Sequence, residues 1–178
     1  MGTIQANFFI SLDGVVEAPE TWHMSYFNDE MGEIVGAGLE VNKGFLMGRK
    51  LYDESSAYWP DETGELADIF NNIPKYVISS SLQDPAWSNT TVVAGDVGSV
   101  QALKDSVDGT IFMSGSATTV RWLLEHGLLD EIQLLVHPVV VGKGQRLFEG
   151  ELGRHPLELA ESKVLSTGVV QLVYRPSA

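Results

Sequence analysis

The start of the chain alternates between apolar and polar side chains. Apolar residues occupy positions 4, 6, 8 and 10, and the polar residues Gln5 and Asn7 lie between them. A period of two is typical of a β-strand with one buried face. The pattern therefore predicts a first strand over residues 4–12, which ends where Asp13 and Gly14 supply a turn.

A helical period follows this strand. Between residues 24 and 39 the apolar residues recur every three or four positions, while Asp29, Glu33, Gly36 and Glu40 fall together on the other side. This spacing predicts an amphipathic helix over residues 24–39 that covers one face of a sheet.

Short apolar runs then alternate with helical segments. Each run is too short to be a helix and is bounded by glycine, serine or other polar residues. The predicted strands cover residues 44–48, 76–78, 91–93 and 110–113, and the predicted helices begin at Arg49 or cover residues 99–107 and 117–126. Alternation of this kind implies a largely parallel sheet with right-handed crossovers.

The C-terminal part changes to strands alone. Residues 131–141 are strand-like, and residues 157–165 and 169–174 flank Ser166-Thr167-Gly168, which predicts an antiparallel hairpin. Residues 61–64 and 142–144 are expected to be exposed loops. We therefore expect one α/β domain over residues 1–178, with a mostly parallel central sheet and a C-terminal antiparallel hairpin.

Composition excludes several classes of protein. The formal net charge is −13 and there is no basic run, so nucleic-acid binding is not expected. The chain has no cysteine, which excludes disulfides, thiolate catalysis and cysteine-based metal sites, and the histidines show no ligand spacing, so no metal site is predicted. The N-terminal residues have neither signal-peptide nor anchor character, so we expect a cytoplasmic protein with no membrane partner.

The few cationic residues of this acidic chain help to locate a possible site for an anionic ligand. An acidic protein that binds an anionic nucleotide must place its cations locally, which draws attention to Arg49, Lys50, Lys75 and Arg121. The alternative for each of them is a solvated surface side chain.

Small polar residues follow three of the predicted strands, in the segments Gly48-Arg49-Lys50, Ser79-Ser80-Ser81 and Ser114-Gly115-Ser116-Ala117-Thr118. The carboxyl ends of parallel strands feed helix N-termini, whose free N–H groups and dipole favour anions. The planar guanidinium of Arg49 suits a phosphate monoester. Turn and N-cap roles are the alternative for each segment alone, and no Gly-x-Gly-x-x-Gly or Walker A sequence supports the usual nucleotide folds.

Four segments together resemble the reductase domain of bacterial riboflavin biosynthesis, which belongs to the dihydrofolate reductase-like superfamily. They are Ser11-Leu12-Asp13-Gly14, Leu46-Met47-Gly48-Arg49-Lys50-Leu51-Tyr52, Ile111-Phe112-Met113-Ser114-Gly115-Ser116, and the twelve residues from His137-Pro138 to Leu147-Phe148. The resemblance implies a three-layer α/β/α fold with NADPH as the hydride donor. It also implies a homodimer, for which residues 132–141 could form part of the interface.

The resemblance also implies roles for individual residues. The NADPH phosphates would be contacted by Gly48, Arg49 and Lys50. The 2′-phosphate would lie along Ser79, Ser80 and Ser81, and the diphosphate would be held by Gly115, Ser116, Ala117 and Thr118. Asp13 and Gly14 would border the nicotinamide and the substrate. A cis peptide bond is expected between Ser114 and Gly115, where the family has paired glycines.

Candidate substrate-side residues come from the residue types. Asp13, at the end of the first strand, is the candidate catalytic acid or proton relay, and its alternative role is to cap a turn before Gly14. His137 is expected to be packed rather than catalytic. Trp22 and Trp59 are candidates to line a pocket for a planar ring, although aromatic side chains in a domain of this size are mostly core.

The resulting hypothesis is an NADPH-dependent reductase that transfers a hydride to a small planar or carbonyl-containing molecule. The position near Gly32 lacks the carboxylate that dihydrofolate reductases carry on their first helix, so folate is not the expected substrate. One alternative is reduction of a phosphorylated ribosylaminopyrimidine, for which Lys143 and Arg146 are the candidate additional cations. The other is a nucleotide-binding protein of the same fold without turnover.

Overall fold

The computed structural model of the protein describes residues 1–177, with Glu40 described by its backbone only. The strands are β1 (Thr3–Ser11), β2 (Asn42–Gly48), β3 (Lys75–Ile78), β4 (Thr90–Val93), β5 (Thr110–Met113), β6 (Glu131–His137), β7 (Leu157–Val164) and β8 (Val170–Pro176). The helices are α1 (Asp29–Val41), α2 (Arg49–Tyr58), α3 (Glu65–Asn72), α4 (Val97–Ser106) and α5 (Ala117–Glu125).

All eight strands form one sheet in the order β4-β3-β2-β5-β1-β6-β8-β7. The first six strands in this order are parallel to one another, β8 runs antiparallel to β6, and β7 runs antiparallel to β8. The predicted mostly parallel sheet with a C-terminal antiparallel hairpin is therefore confirmed.

Helices cover both faces of this sheet. On one face, the residues at positions 4, 6, 8 and 10 of β1 lie in a buried cluster with Val100 of α4 and Val120 of α5. On the other face, Phe45 and Phe112 cluster with Tyr52 of α2, and Met31 of α1 packs in the cluster that contains Leu135 of β6. Apolar side chains on alternate strand positions thus bury both faces, which confirms the three-layer α/β/α arrangement.

The predicted helix over residues 24–39 begins later than expected. Met24–Tyr26 forms a short 3-10 turn, and α1 starts at Asp29 because the side chain of Asn28 caps it by accepting a hydrogen bond from the amide of Met31 at 3.1 Å. Met24 and Phe27 fit the helical spacing but are 60% and 42% exposed. Helix α3 was not predicted.

The strand predicted over residues 131–141 ends at His137. Pro138 follows, and proline has no N–H to continue the ladder. Strand β6 is hydrogen-bonded to β1 on one side and β8 on the other, and Ile132 and Leu135 are buried in the protein's own core. That residues 132–141 form part of a dimer interface stays a prediction, to which the buried side chains of Ile132 and Leu135 do not contribute.

Lys75 does not lie at the carboxyl ends of the strands, because it is the first residue of β3. Its ammonium group is fully buried and donates to the carbonyl oxygens of Asn71, Ile73 and Ser88 at 2.9–3.0 Å. It also lies 4.4 Å from the ring centroid of Trp87. Burial lowers the pKa of Lys75 to about 8. This lysine therefore ties the start of β3 to the loops around it and is not a phosphate ligand.

Among residues 1–177, no helix combines the length and the apolar character that crossing a membrane would require.

Replacing Lys75 with methionine should lower the free energy of unfolding by about 2–4 kcal/mol, because three buried carbonyl oxygens lose their donor. Lys50→Met is the matched control, since the Lys50 side chain is 79% exposed, and it should change stability by about 0.5 kcal/mol or less. Urea unfolding of both variants measures the difference. Equal stability of the two variants would contradict the structural role given to Lys75.

Candidate functional site

The carboxyl ends of the six parallel strands lie at one edge of the sheet. At this edge β2 leads directly into α2 and β5 leads into α5, and β2 and β5 are neighbours. A Cβ atom added to Gly48 would lie 2.8 Å from Oγ1 of Thr119, and one added to Gly115 would lie 3.3 Å from Cδ2 of Leu51. The N-termini of α2 and α5 therefore form one continuous surface, and a side chain at position 48 would push them apart.

The N-terminus of α5 is capped by its own side chains. Ser116 is the N-cap residue; its hydroxyl accepts from the amide of Thr119 at 3.4 Å and lies 3.0 Å from the Thr119 hydroxyl. Ala117 is buried, and the Thr118 hydroxyl accepts from Nη2 of Arg121 at 3.3 Å. Backbone groups, rather than the side chains of Ala117 and Thr118, are thus the main contacts that this turn offers a ligand.

The cis peptide bond in this segment joins Gly115 to Ser116, not Ser114 to Gly115 as expected. The expectation placed the pair directly after the strand, whereas the structure places it directly before the first residue of α5. The predicted position of the cis peptide bond is therefore wrong by one residue.

Helix α2 has a different N-terminus. Its N-cap is Gly48, which has no side chain to accept from the first amides of the helix. A helix whose first N–H groups lack a side-chain acceptor offers them, together with the positive end of the helix dipole, to an external anion. The neighbouring α5 terminus points the same kind of dipole at the same edge.

Arg49 and the serines after β3 meet at this edge. Nη1 of Arg49 donates to Oγ of Ser81 at 3.3 Å, and its Nε donates to both carboxylate oxygens of Asp53 at 2.8 and 2.9 Å. The Ser79 hydroxyl accepts from the amides of Ser81 and Leu82 at 3.2 and 3.1 Å, so it shapes the turn. Ser80 and Ser81 are exposed, and the structure therefore brings Arg49 and a serine hydroxyl together on the surface.

The other two cations singled out at the sequence level have different surroundings. Lys50 is exposed and lies 3.9 Å from a carboxylate oxygen of Glu54. Arg121 donates to the carbonyl oxygens of Arg146 and Leu147 at 3.1 and 3.0 Å and so ties the loop after β6 to α5.

Asp13 holds the loop after β6 in place. Its carboxylate accepts from the Ser11 hydroxyl at 2.7 Å and from the amides of Val141 and Gly142 at 3.0 and 2.9 Å, and Nη2 of Arg146 lies 3.7 Å away. These donors, Ser11 first, lower the pKa of Asp13 to about 2. Asp13 is therefore ionised at neutral pH, where it can accept a hydrogen bond but has no proton to donate. Its catalytic role stays a prediction.

Gly14 is part of the same contact. It has a φ of +85°, which favours glycine, and its carbonyl oxygen accepts from the amide of Leu147 at 3.0 Å. The loop after β1 and the loop after β6 are thus fixed to one another at the edge of the sheet.

A cluster of aromatic rings and two histidines, the histidine cage, lies beside these loops, and no sequence pattern indicated that these residues meet. His23 stacks on Phe9 with centroids 4.4 Å apart, and His137 makes edge-to-face contacts with Trp22 and His23 at 5.3 and 5.9 Å. His137 is fully buried, and its Nδ1 lies 2.8 Å from the carbonyl oxygen of Leu135. The expectation of a packed His137 agrees with this geometry.

The two tryptophans expected at the substrate pocket lie in different clusters. Trp22 belongs to the cage around His137, whereas Trp59 stacks on Phe70 with centroids 4.5 Å apart, in the cluster beneath α2 and α3. Their assignment to a substrate pocket stays a prediction.

A polar cavity of about 560 Å³ lies at the opposite edge of the sheet, and its lining includes Gln5, Glu131 and Arg175. Nε of Arg175 donates to Glu131 at 2.9 Å, and the Gln5 amide donates to the same carboxylate. These three side chains thus bond to one another.

The histidine cage should make stability depend on pH. Burial lowers the pKa of His23 and of His137 below the ordinary value of 6.5. Below about pH 6.5, His23 and His137 therefore bind protons more readily in the unfolded chain than in the folded protein. The free energy of unfolding should fall as the pH falls. His23→Phe should flatten this slope, whereas His126→Gln should keep it because His126 is exposed. Denaturant unfolding between pH 7 and pH 5 measures the slopes, and equal slopes for the wild type and His23→Phe would contradict the account.

Known proteins resemble the chain over most of its length. The uncharacterized protein YyaP of Bacillus subtilis (strain 168) is 29% identical over 182 residues, which cover 93% of this chain and 90% of YyaP. A putative riboflavin biosynthesis protein from Shewanella sp. PV-4 has a TM-score of 0.78 at 19% identity, with 99% of both chains covered. Dihydrofolate reductase from Enterococcus faecalis, complexed with NADP(H) and RAB-propyl, has a TM-score of 0.65 at 11% identity, with 99% of this chain and 97% of that chain covered.

At these identities the two solved structures show the fold, and they confirm that it is dihydrofolate reductase-like. The family model described as the RibD C-terminal domain matches residues 2–171. That span covers all of the strands and helices except β8, of which it includes only the first two residues. The chain therefore belongs to the RibD C-terminal domain family.

Proposed function

We propose that the protein is an NADPH-dependent reductase that transfers a hydride to a small planar or carbonyl-containing molecule. The observation that carries the proposal is the meeting of Arg49 and Ser81 beside the N-termini of α2 and α5. These groups come from three separate strand ends, and together they offer a guanidinium, hydroxyls and free helix amides at one place.

The arrangement fits a phosphorylated dinucleotide. In the proposed site the diphosphate lies against the first turns of α2 and α5, where Gly48 and Gly115 allow the backbone to approach it closely. Lys50 and Ser116 are proposed to contact it with their side chains. The 2′-phosphate lies against Arg49 and the serines Ser79, Ser80 and Ser81, because a guanidinium and hydroxyls are donors that match a phosphate monoester. The complex of the Enterococcus dihydrofolate reductase with NADP(H) supports a dinucleotide site on this fold.

The bound cofactor would supply the hydride, and the protein's part is to orient it and the substrate. We propose that Gly14 borders the nicotinamide and that Asp13, being ionised, accepts a hydrogen bond from a substrate N–H or O–H group rather than donating a proton. Trp22 and Trp59 are proposed to border the substrate from the side of α1 and the side of α2. A single domain over residues 1–178 and a homodimer complete the proposal.

Reduction of a phosphorylated ribosylaminopyrimidine is the second candidate, favoured by membership of the RibD C-terminal domain family. Of the two cations expected to serve it, Arg146 is engaged by Asp13, with Nε donating to the Asp13 carbonyl oxygen at 3.0 Å. Lys143 is exposed between Gly142 and Gly144, both at positive φ, and is the cation better placed to meet a substrate phosphate.

The cofactor site is tested by titrating the protein with NADPH, NADH and ATP in a calorimeter. Arg49→Ala should weaken NADPH binding about 10- to 100-fold, because it removes a charge-assisted pair with phosphate that is worth roughly 1.5–3 kcal/mol. NADH binding should change much less, since NADH has no 2′-phosphate.

Arg175→Ala is the matched control for this titration. Arg175 also uses Nε to bind a carboxylate, at 2.9 Å from Glu131, but it lies at the opposite edge of the sheet. It should leave NADPH binding unchanged. If the wild-type protein binds no dinucleotide, the reductase proposal falls. Tight binding of NADPH without oxidation by any carbonyl compound or heterocycle would favour a nucleotide-binding protein without turnover.

The role of Asp13 is tested by Asp13→Asn. The folded-state pKa of about 2 is below the ordinary 3.8, so the carboxylate stabilises the fold fully above pH 3.8 and loses this effect as the pH falls toward 2. An amide side chain cannot accept from both Val141 and Gly142 as a carboxylate does. Hydrogen exchange of these two amides at neutral pH should therefore become faster in the variant.

Asp108→Asn, at an exposed position before β5, is the control for Asp13→Asn and should leave exchange in the loop after β6 unchanged. Unaltered protection of Val141 and Gly142 in Asp13→Asn would show that this carboxylate does not hold the loop.

A further inference from the structure

We propose that Asp53 sets the cofactor preference of the site by competing with phosphate for Arg49, so that NADH is accepted alongside NADPH. This inference rests on the proposed function and deepens it, because it concerns the same dinucleotide site. It gives Asp53 the role of a specificity-determining residue on the first two turns of α2.

The geometry of the pair is that of direct competition. Both oxygens of the Asp53 carboxylate accept from Nε of Arg49, at 2.8 and 2.9 Å, one helical turn apart along α2. A carboxylate placed this way occupies one side of the guanidinium fork that a phosphate monoester would use. The contact of Nη1 with Ser81 leaves the other side facing the serines.

The charges around the pair do not offset this competition. Lys50 lies 3.9 Å from Glu54 in the same i, i+4 relation, so the first two turns of α2 hold two cations and two carboxylates. Arg121 is directed at the loop after β6 and at Glu149, 3.7 Å away. The chain as a whole has a net charge of −13. A 2′-phosphate at Arg49 would therefore meet a surface with no excess positive charge.

The two cofactors respond to Asp53 in opposite ways. A phosphate monoester carries a charge of about −1.5 to −2 at pH 7, so a neighbouring carboxylate repels it. NADH has a ribose 2′-hydroxyl in the same place, and a carboxylate can accept a hydrogen bond from that hydroxyl, which is how acidic residues favour NAD in other dinucleotide folds. Arg49 and Asp53 side by side thus provide a partner for either group.

The test is calorimetric titration of the wild type and Asp53→Asn with NADPH and NADH at low ionic strength. The substitution should tighten NADPH binding about three- to tenfold, and it should leave NADH binding unchanged or weaken it about twofold. Both side chains are about half exposed, so 0.5 M NaCl should reduce the gain for NADPH.

Asp105→Asn is the matched control. Asp105 is also exposed, also accepts from a side chain four residues earlier, with Gln101 at 3.1 Å, and lies on α4 near the opposite edge of the sheet. Its substitution changes the net charge by the same amount, so it measures the general effect of charge and should leave both affinities unchanged.

The outcomes separate the two proposals. If the wild type binds both dinucleotides and Asp53→Asn shifts NADPH binding no more than Asp105→Asn, the proposal for Asp53 is overturned and the reductase proposal stands. An equal gain for NADPH and NADH overturns it as well. If the wild type binds neither dinucleotide, the proposed function and this inference fall together.

Discussion

The candidate site depends on the pairing of β2 with β5 in the middle of the sheet. This pairing places the two following helices next to one another, although α2 packs on one face and α5 on the other. Their N-termini then approach so closely that Gly48 has room for no side chain toward Thr119. Two helix dipoles and a row of backbone amides meet at one edge of the sheet as a result, and the serines after β3 join them because β3 is the next strand.

The few cationic side chains of the protein have different structural roles. Lys75 and Lys104 are buried and bonded to carbonyl oxygens inside the fold, and Arg121 and Arg146 fix the loop after β6 to its neighbours. Arg49 lies on the surface at the helix N-termini, yet it too is partnered by a carboxylate. Charge at the candidate site is therefore balanced, and affinity for an anion has to come largely from helix amides and hydroxyls.

Much of the fold could be predicted from the sequence because the spacing of apolar residues follows the buried faces of strands and helices. The alternation in β1 and the hairpin of β7 and β8 were visible because turn residues bounded clear strand patterns. The start of α1 was misplaced because Met24 and Phe27 keep helical spacing while remaining exposed, and hydrophobicity alone cannot show that Asn28 caps the helix.

The site was predictable only in part, for a similar reason. The small polar residues at the strand ends could be recognised from the sequence, and the contact of Arg49 with Ser81 agrees with the prediction that two of these strand ends lie together. The partners of Asp13 are backbone amides of Val141 and Gly142, which have no signature in residue type. The cage joining Phe9, His23 and His137 is formed by residues far apart in the chain, so only the topology of β1 and β6 brings them together.

If one edge of the sheet binds a dinucleotide through three strand ends, bound NADPH should shield the backbone amides of all three, which hydrogen exchange with and without saturating NADPH measures. We expect slower exchange in three segments at once: residues 48–51, 79–82 and 115–119. Protection confined to the opposite edge, around Gln5, Glu131 and Arg175, or no protection at a concentration where NADPH binds, would contradict it.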